Sequence, residues 1–155
     1  MSELVVRPAG PQDLAAIVDA VAGQPLLVRY GTSPEGLLGS LTQALDRREQ
    51  ILVAERAAQV AGLAWFLPAG TLALGGYLRL IAVAVGDEGR GTGARLLDEV
   101  EARTALESRH LFLLVSSFNQ GARRFYERRG YLPVGELPGL VRPELDELLL
   151  WRRLR

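Results

Sequence analysis

Within eight residues the chain places Gly86, Gly89, Gly91 and Gly93, between an apolar run and an amphipathic helical pattern. Glycine has no Cβ and enters positive φ freely, so a ligand can approach such a turn closely. The first amides of the following helix lack carbonyl partners and carry partial positive charge. That chemistry suits an anion, above all a phosphate. A second chemical signal lies in NQGARRFYERRGY, from Asn119 to Tyr131, where the phenol of Tyr126 could move a proton.

The kind of phosphate ligand can be narrowed. A Walker loop needs Gly-Lys-Ser/Thr, and the chain contains no lysine. Gly89-x-Gly91-x-x-Ala94 matches a dinucleotide fingerprint in form. That reading needs an acid at the end of the next strand to hold a ribose. The strand His110 to Val115 ends instead in Ser116-Ser117. Taken alone, the stretch also reads as a glycine turn with no ligand, and the second segment as a short helix with a half-buried tyrosine.

Together the two segments resemble the GNAT superfamily of acyl-CoA-dependent N-acetyltransferases. Its first motif is a strand ending Val-x-Pro, then Arg/Gln-x-x-Gly-x-Gly/Ala opening a helix. Gly91 and Gly93 match the paired small residues, while Val85 and Glu88 replace the usual proline and the usual Arg or Gln. Its second motif, Asn-x-x-Ala-x-x-x-Tyr-x-x-x-Gly-Phe/Tyr, is met by Asn119, Ala122, Tyr126, Gly130 and Tyr131. The resemblance implies an α/β (α+β) fold: a mixed, mostly antiparallel sheet of about seven strands, splayed open, with helices on both faces.

It also implies a site. The pantetheine arm of acetyl-CoA would pair with backbone groups of Ala82, Val83 and Val85. The pyrophosphate would rest on the amides of Glu88, Gly89, Arg90, Gly91, Thr92, Gly93 and Ala94. Asn119, Ala122 and Tyr126 would complete the carrier's place, and Arg123 or Arg124 could meet its outer phosphates. Tyr126 would protonate the leaving sulfur, and the Val83 amide would hold the oxyanion. Glu88 is the departure that matters. Two like charges ~5 Å apart repel by roughly 3 kcal/mol at an effective dielectric near 20, so carrier binding is expected to persist but weaken, with Arg90 or Arg95 offsetting the acid. The activity implied is acetyl transfer to a primary amine on a small molecule or peptide. The alternative is a non-catalytic acyl-CoA-binding regulatory domain of the same fold.

The base is not legible. Glu55 is the named candidate, Asp146 and Glu147 are further ones, and Ser116, Ser117 and His110 are weaker still. Arg29, Tyr30 and Arg142 could meet a carboxylate or phosphate on the acceptor. Of Trp65 and Phe66, adjacent on a strand, one is expected to face the core, and Trp151 could serve a homodimer contact.

The elements that must position these groups follow from periodicity and breakers. Glu3 to Arg7 reads as a strand ended by Pro8. Pro11 opens a helix with Leu14, Ile17, Val18 and Val21 on one face. Leu26 to Thr32 reads as an irregular connection, and Ser33-Pro34 opens a second helix ending near Arg48. Ile51 to Glu55 and Val60 to Leu67 form a hairpin, Pro68 to Gly70 turns, and a core strand ends at Val85. After the glycine turn come a helix, the strand His110 to Val115, and the Asn119 helix stopped by Gly130. Leu132 to Glu136 and Glu147 to Leu154 close the chain, joined by a loop over Leu137 to Asp146.

Composition bounds the partners. The chain has 155 residues, enough for a single domain over its whole length. Lys+Arg and Asp+Glu balance at 18 each, which gives no attraction to nucleic acid or an anionic membrane. Without cysteine there is no disulfide, thiolate nucleophile or Cys-type metal site, and no metal is expected. The absence of a signal pattern at the start and of a long apolar run leads to a cytoplasmic expectation.

Overall fold

The computed structural model describes residues 2–155. Strands and helices follow in the order β1 (Leu4–Pro8), α1 (Leu14–Val21), α2 (Pro25–Arg29), α3 (Pro34–Asp46), β2 (Gln50–Arg56), β3 (Gln59–Thr71), β4 (Gly75–Val83), α4 (Thr92–Ala105), β5 (His110–Ser116), α5 (Gln120–Arg128), β6 (Leu132–Arg142) and β7 (Leu145–Arg153), and the strands number seven among the described residues. They form one mixed sheet, ordered β1-β2-β3-β4-β5-β7-β6. Pairing is antiparallel between β1 and β2, β2 and β3, β5 and β7, and β6 and β7. It is parallel between β4 and β5, where the register covers Gly76↔Leu111 to Leu78↔Leu113. Helices and strands pack as two compact units: residues up to Phe66 with Leu80–Ala102, and Leu67–Arg79 with Arg103–Arg155.

In the first unit the period-two alternation of β2 and β3 divides their side chains between two covered faces. Ile51, Val53, Leu63 and Trp65 join Leu14, Ile17, Val18 and Val21 of α1 and Leu37, Leu41 and Ala44 of α3 in one core. The opposite face carries Leu52 and Ala54, paired with Ala64 and Gly62. A Cβ on Gly62 would come within 3.2 Å of Leu96 Cδ1 on α4, so the backbone lies close beneath that helix. Because both faces are covered, Trp65 and Phe66 are both buried, not one of them as the alternation suggested. The Trp65 indole N–H donates to Glu49 at 2.8 Å.

Three connections differ from the sequence reading. Pro25 sits at N1 of α2, so the residues from Leu26 read as an irregular connection begin as a short helix that buries Leu27. Pro68 does not end β3: the strand continues to Thr71, and the Pro68 carbonyl accepts the Ser108 hydroxyl at 2.7 Å. The expected loop from Leu137 to Asp146 is mostly the end of β6. A register shift between Leu137 and Arg142 absorbs Pro138 and Gly139, and Asp146 accepts the Gly139 amide at 3.1 Å. The stops at Gly130 and Asn119 stand as read: Gly130 has φ +92°, and Asn119 Oδ1 accepts the Ala122 amide.

Near the chain start, Arg7 on β1 donates to Asp13 at 2.9 and 3.0 Å and to Glu55 on β2 at 2.5 Å. The guanidinium and the Gly10 amide hold the Asp13 carboxyl down at about 2. A depressed folded-state pKa adds stability above the unfolded value, and that stability drains away as pH falls through the folded one. Acid titration from pH 4 towards pH 2 should therefore destabilise the wild type more steeply than Asp13→Asn; parallel curves would contradict the ion pair's part. Two glycines give opposite signs. A Cβ at Gly76 would meet the Leu67 and Pro68 carbonyls at 2.8 and 3.1 Å, whereas one at Gly39 on α3 meets nothing. Urea unfolding should show Gly76→Ala losing about 1–3 kcal/mol and Gly39→Ala gaining up to about 1 kcal/mol.

Candidate functional site

In the first unit, β4 feeds the glycine turn. Gly86, Gly89 and Gly91 sit at φ +94°, +75° and +82°, conformations that other residues enter at a cost. The turn is pinned from inside by Asp87, which is buried. Its carboxylate accepts the Thr92 hydroxyl, Arg90 Nη1 at 3.2 Å and Arg56 Nε at 3.4 Å. Arg56 also donates to Thr92 Oγ1 at 3.3 Å. A buried carboxylate is tolerable only when so matched, and the match ties β2, the turn and the first residue of α4 together. The helix starts at Thr92, with the Arg95 amide on the Gly91 carbonyl. Gly89, Arg90 and Gly91 stay exposed in front of it, with Gly93 and Ala94 half-buried behind.

Glu88 does not point away from this turn. Its Oε2 accepts the Gly86 amide at 2.8 Å and its Oε1 accepts Gln24 Nε2 at 2.9 Å. Its own amide, Gln24 and Gly86 all hold the carboxyl below its ordinary range. Gln24 also donates to the Val83 carbonyl at 2.8 Å. The Ala84 amide is bonded to Ala61 and the Val85 amide to the Ala20 carbonyl at 2.9 Å. The expected bare edge over Ala82, Val83 and Val85 is thus partly dressed by the chain itself. Arg90, expected to offset Glu88, is engaged with Asp87.

In the second unit, Asn119 caps α5 with its side-chain oxygen, which leaves its NH2 group for an outside acceptor. Tyr126 lies in a ring cluster, edge-on to Phe125 at 5.2 Å and to buried Tyr131 at 5.7 Å. Its carbonyl takes the amides of Arg129 and Tyr131, so Gly130 turns the chain back under the ring. Burial raises the phenol pKa above its ordinary value. Such a phenol keeps its proton at neutral pH and has it to give. Ala122 is half-buried on the same helix, and Arg123 pairs with Glu127 at 2.8 Å.

The other candidates make contacts within the chain. Glu55 is held against Arg7. Asp146 Oδ1 serves Gly139, and Ser117 donates its amide to the Asp146 carbonyl. Glu147 is buried, in register with Ser116. His110 Nδ1 accepts the Trp151 indole N–H at 3.0 Å, an internal contact for both rings. Arg29, Tyr30 and Arg142 each interact within the chain. Sequence reasoning missed Gln24, Arg56 and Asp87. Only Asp87 offered a local signal, an acid five residues before the threonine that opens α4.

Residues 35–138 match the family model described as Acetyltransferase (GNAT) domain. No curated protein matches the chain in sequence. An N-acetyltransferase from Staphylococcus aureus Mu50 superposes with a TM-score of 0.77 at 20% identity, over 99% of this chain and 100% of that one. Ribosomal-protein-alanine N-acetyltransferase from Brucella melitensis gives 0.71 at 23% identity, over 96% and 99%. The yncA protein of Salmonella typhimurium, solved with acetyl-CoA, gives 0.71 at 17% identity, over 98% and 94%. At these identities the likeness carries the fold.

Replacing Asp87 tests what shapes the turn. Asp87→Asn strands Arg56 and should cost about 3 kcal/mol in denaturant unfolding; a loss below about 1 kcal/mol, the scale of an exposed pair, would mean the glycines alone hold it.

Proposed function

This chain belongs to the GNAT acetyltransferase family, and on that premise we propose that it moves an acetyl group from acetyl-CoA to a primary amine on a small molecule or peptide. The observation that carries the reading is the turn of positive-φ glycines, pinned by Asp87 and opening α4. Backbone amides of Gly89 to Ala94 suit the pyrophosphate, since a helix N-terminus favours an anion whatever the neighbouring side chains.

The chemistry follows from charge. The amine nitrogen attacks the thioester carbonyl, a C–N bond forms, and negative charge gathers on oxygen. The Val83 amide is the donor proposed for that oxyanion. Collapse breaks the C–S bond, and the sulfur leaves as a thiolate whose parent acid has a pKa of ~8.5. Tyr126 gives it a proton, the nitrogen gives one up to solvent as the amide forms, and the phenolate regains its proton from solvent. The raised pKa of Tyr126 makes the isolated phenol a weaker acid, but the same low-dielectric surroundings penalise an unprotonated thiolate equally. Because Glu55 is tied to Arg7, the reading favours an acceptor that is neutral at working pH, such as an arylamine or weakly basic amine.

A second reading, an acyl-CoA-binding regulatory domain without turnover, draws on Glu88, whose carboxylate already sits on the Gly86 amide. Free-thiol release from acetyl-CoA with a panel of amines separates the two. Amine-dependent release supports transfer, and binding without release on any amine supports the sensor.

Tyr126→Phe should lower the transfer rate tenfold or more while leaving acetyl-CoA affinity as it was. The wild-type rate should show no alkaline decline from this group below about pH 10. An unchanged rate in Tyr126→Phe would leave the residue a packing tyrosine.

A further inference from the structure

Hydrogen bonds that meet at the junction of α1 and α2 have no counterpart in what the glycine turn needs for its own shape. Gln24, the residue before Pro25, spends both side-chain amide hydrogens there, one on the Val83 carbonyl at 2.8 Å and one on Glu88 Oε1 at 2.9 Å. Glu88 in turn accepts the Gly86 amide at 2.8 Å. Beside them the Val85 amide is bonded to the last turn of α1 through the Ala20 carbonyl. All of these groups belong to one unit of the chain.

We propose that Gln24 and Glu88 form a built-in stand-in for acetyl-CoA: Gln24 holds the Val83 carbonyl that the carrier's own amide is to take, and Glu88 holds a negative charge on the Gly86 amide, in the turn just ahead of the amides proposed for the pyrophosphate, so that the carrier enters by displacing them. The inference rests on the proposed acetyltransferase function and adds how that site is kept when empty. A carboxamide N–H on the Val83 carbonyl satisfies a strand-edge acceptor as the amide of an extended pantetheine arm would. A carboxylate on the Gly86 amide places a negative charge at the entrance of the turn whose later amides are to meet the phosphates. Asp87, Thr92 and Arg56 already fix the turn, so Glu88 is not required for its shape. Glu88 is also exposed and could extend into water, yet it folds back over two residues to reach Gly86. An acid at this position is thereby explained: it serves as an internal ligand, held in place by Gln24.

Acetyl-CoA binding by calorimetry tests the idea in the wild type, Gln24→Ala and Glu88→Ala. Each variant should bind roughly three- to tenfold tighter, the worth of one or two hydrogen bonds. The double variant should gain less than the product, because the two residues share a bond. In wild-type NMR spectra, the Gln24 side-chain amide and the Gly86 amide signals should move on adding acetyl-CoA. Binding that is unchanged or weaker in both single variants overturns the stand-in while leaving the acetyltransferase reading intact. Acetyl-CoA that binds without moving the Gln24 signals does the same. Failure of all three proteins to bind acetyl-CoA overturns the functional reading and the stand-in together.

Discussion

A buried carboxylate governs the part of this chain that could do chemistry. Asp87 lies among the side chains of Arg56, Arg90 and Thr92, and no neutral residue of its size supplies the negative charge that the two guanidinium groups face. Glycines permit the turn, but permission does not choose a conformation: a chain with four glycines in eight residues has more shapes to lose than any other. The ion pair and the hydroxyl select one. They do so by joining β2 to the start of α4, and Gly89, Arg90 and Gly91 ahead of that helix are exposed. The carrier recognition proposed above would then be secondary to this internal electrostatic closure.

The second unit solves a different problem with packing. Tyr126 is held by the edges of two aromatic rings and by the chain reversal at Gly130. Aromatic contacts of this kind fix a ring's plane without consuming its hydroxyl. Burial of the ring also raises the phenol's pKa above its ordinary value. One device thus supplies both position and protonation state. The same economy is visible at Asn119, whose oxygen caps the helix while its NH2 group is left over.

Local chemistry was the legible part of the sequence. The glycine turn, the Asn119 cap, the Gly130 stop and the strand–helix alternation each depend on residues within a few positions of one another. What escaped notice depends on pairings across the fold. Arg56 lies 31 residues before Asp87, and Gln24 lies 59 residues before Val83. Periodicity carries no information about such partners. It also misjudged elements that prolines punctuate. Pro25 opens a helix in residues read as an irregular connection, and Pro68 and Pro138 sit inside strands, the second at a register shift. Glu88 was legible as an anomaly, a negative charge in an anion cradle, but its direction was not. Only the folded chain shows it turned back onto the Gly86 amide and Gln24.

The central claim is that the amides of the Asp87-pinned turn hold the phosphates of a thioester carrier. A crystal structure of the chain with acetyl-CoA tests this most directly. Pyrophosphate oxygens should lie within hydrogen-bond distance of the amides between Gly89 and Ala94, with the thioester carbonyl on the Val83 amide. Acetyl-CoA bound elsewhere, with those amides still facing solvent, would refute it.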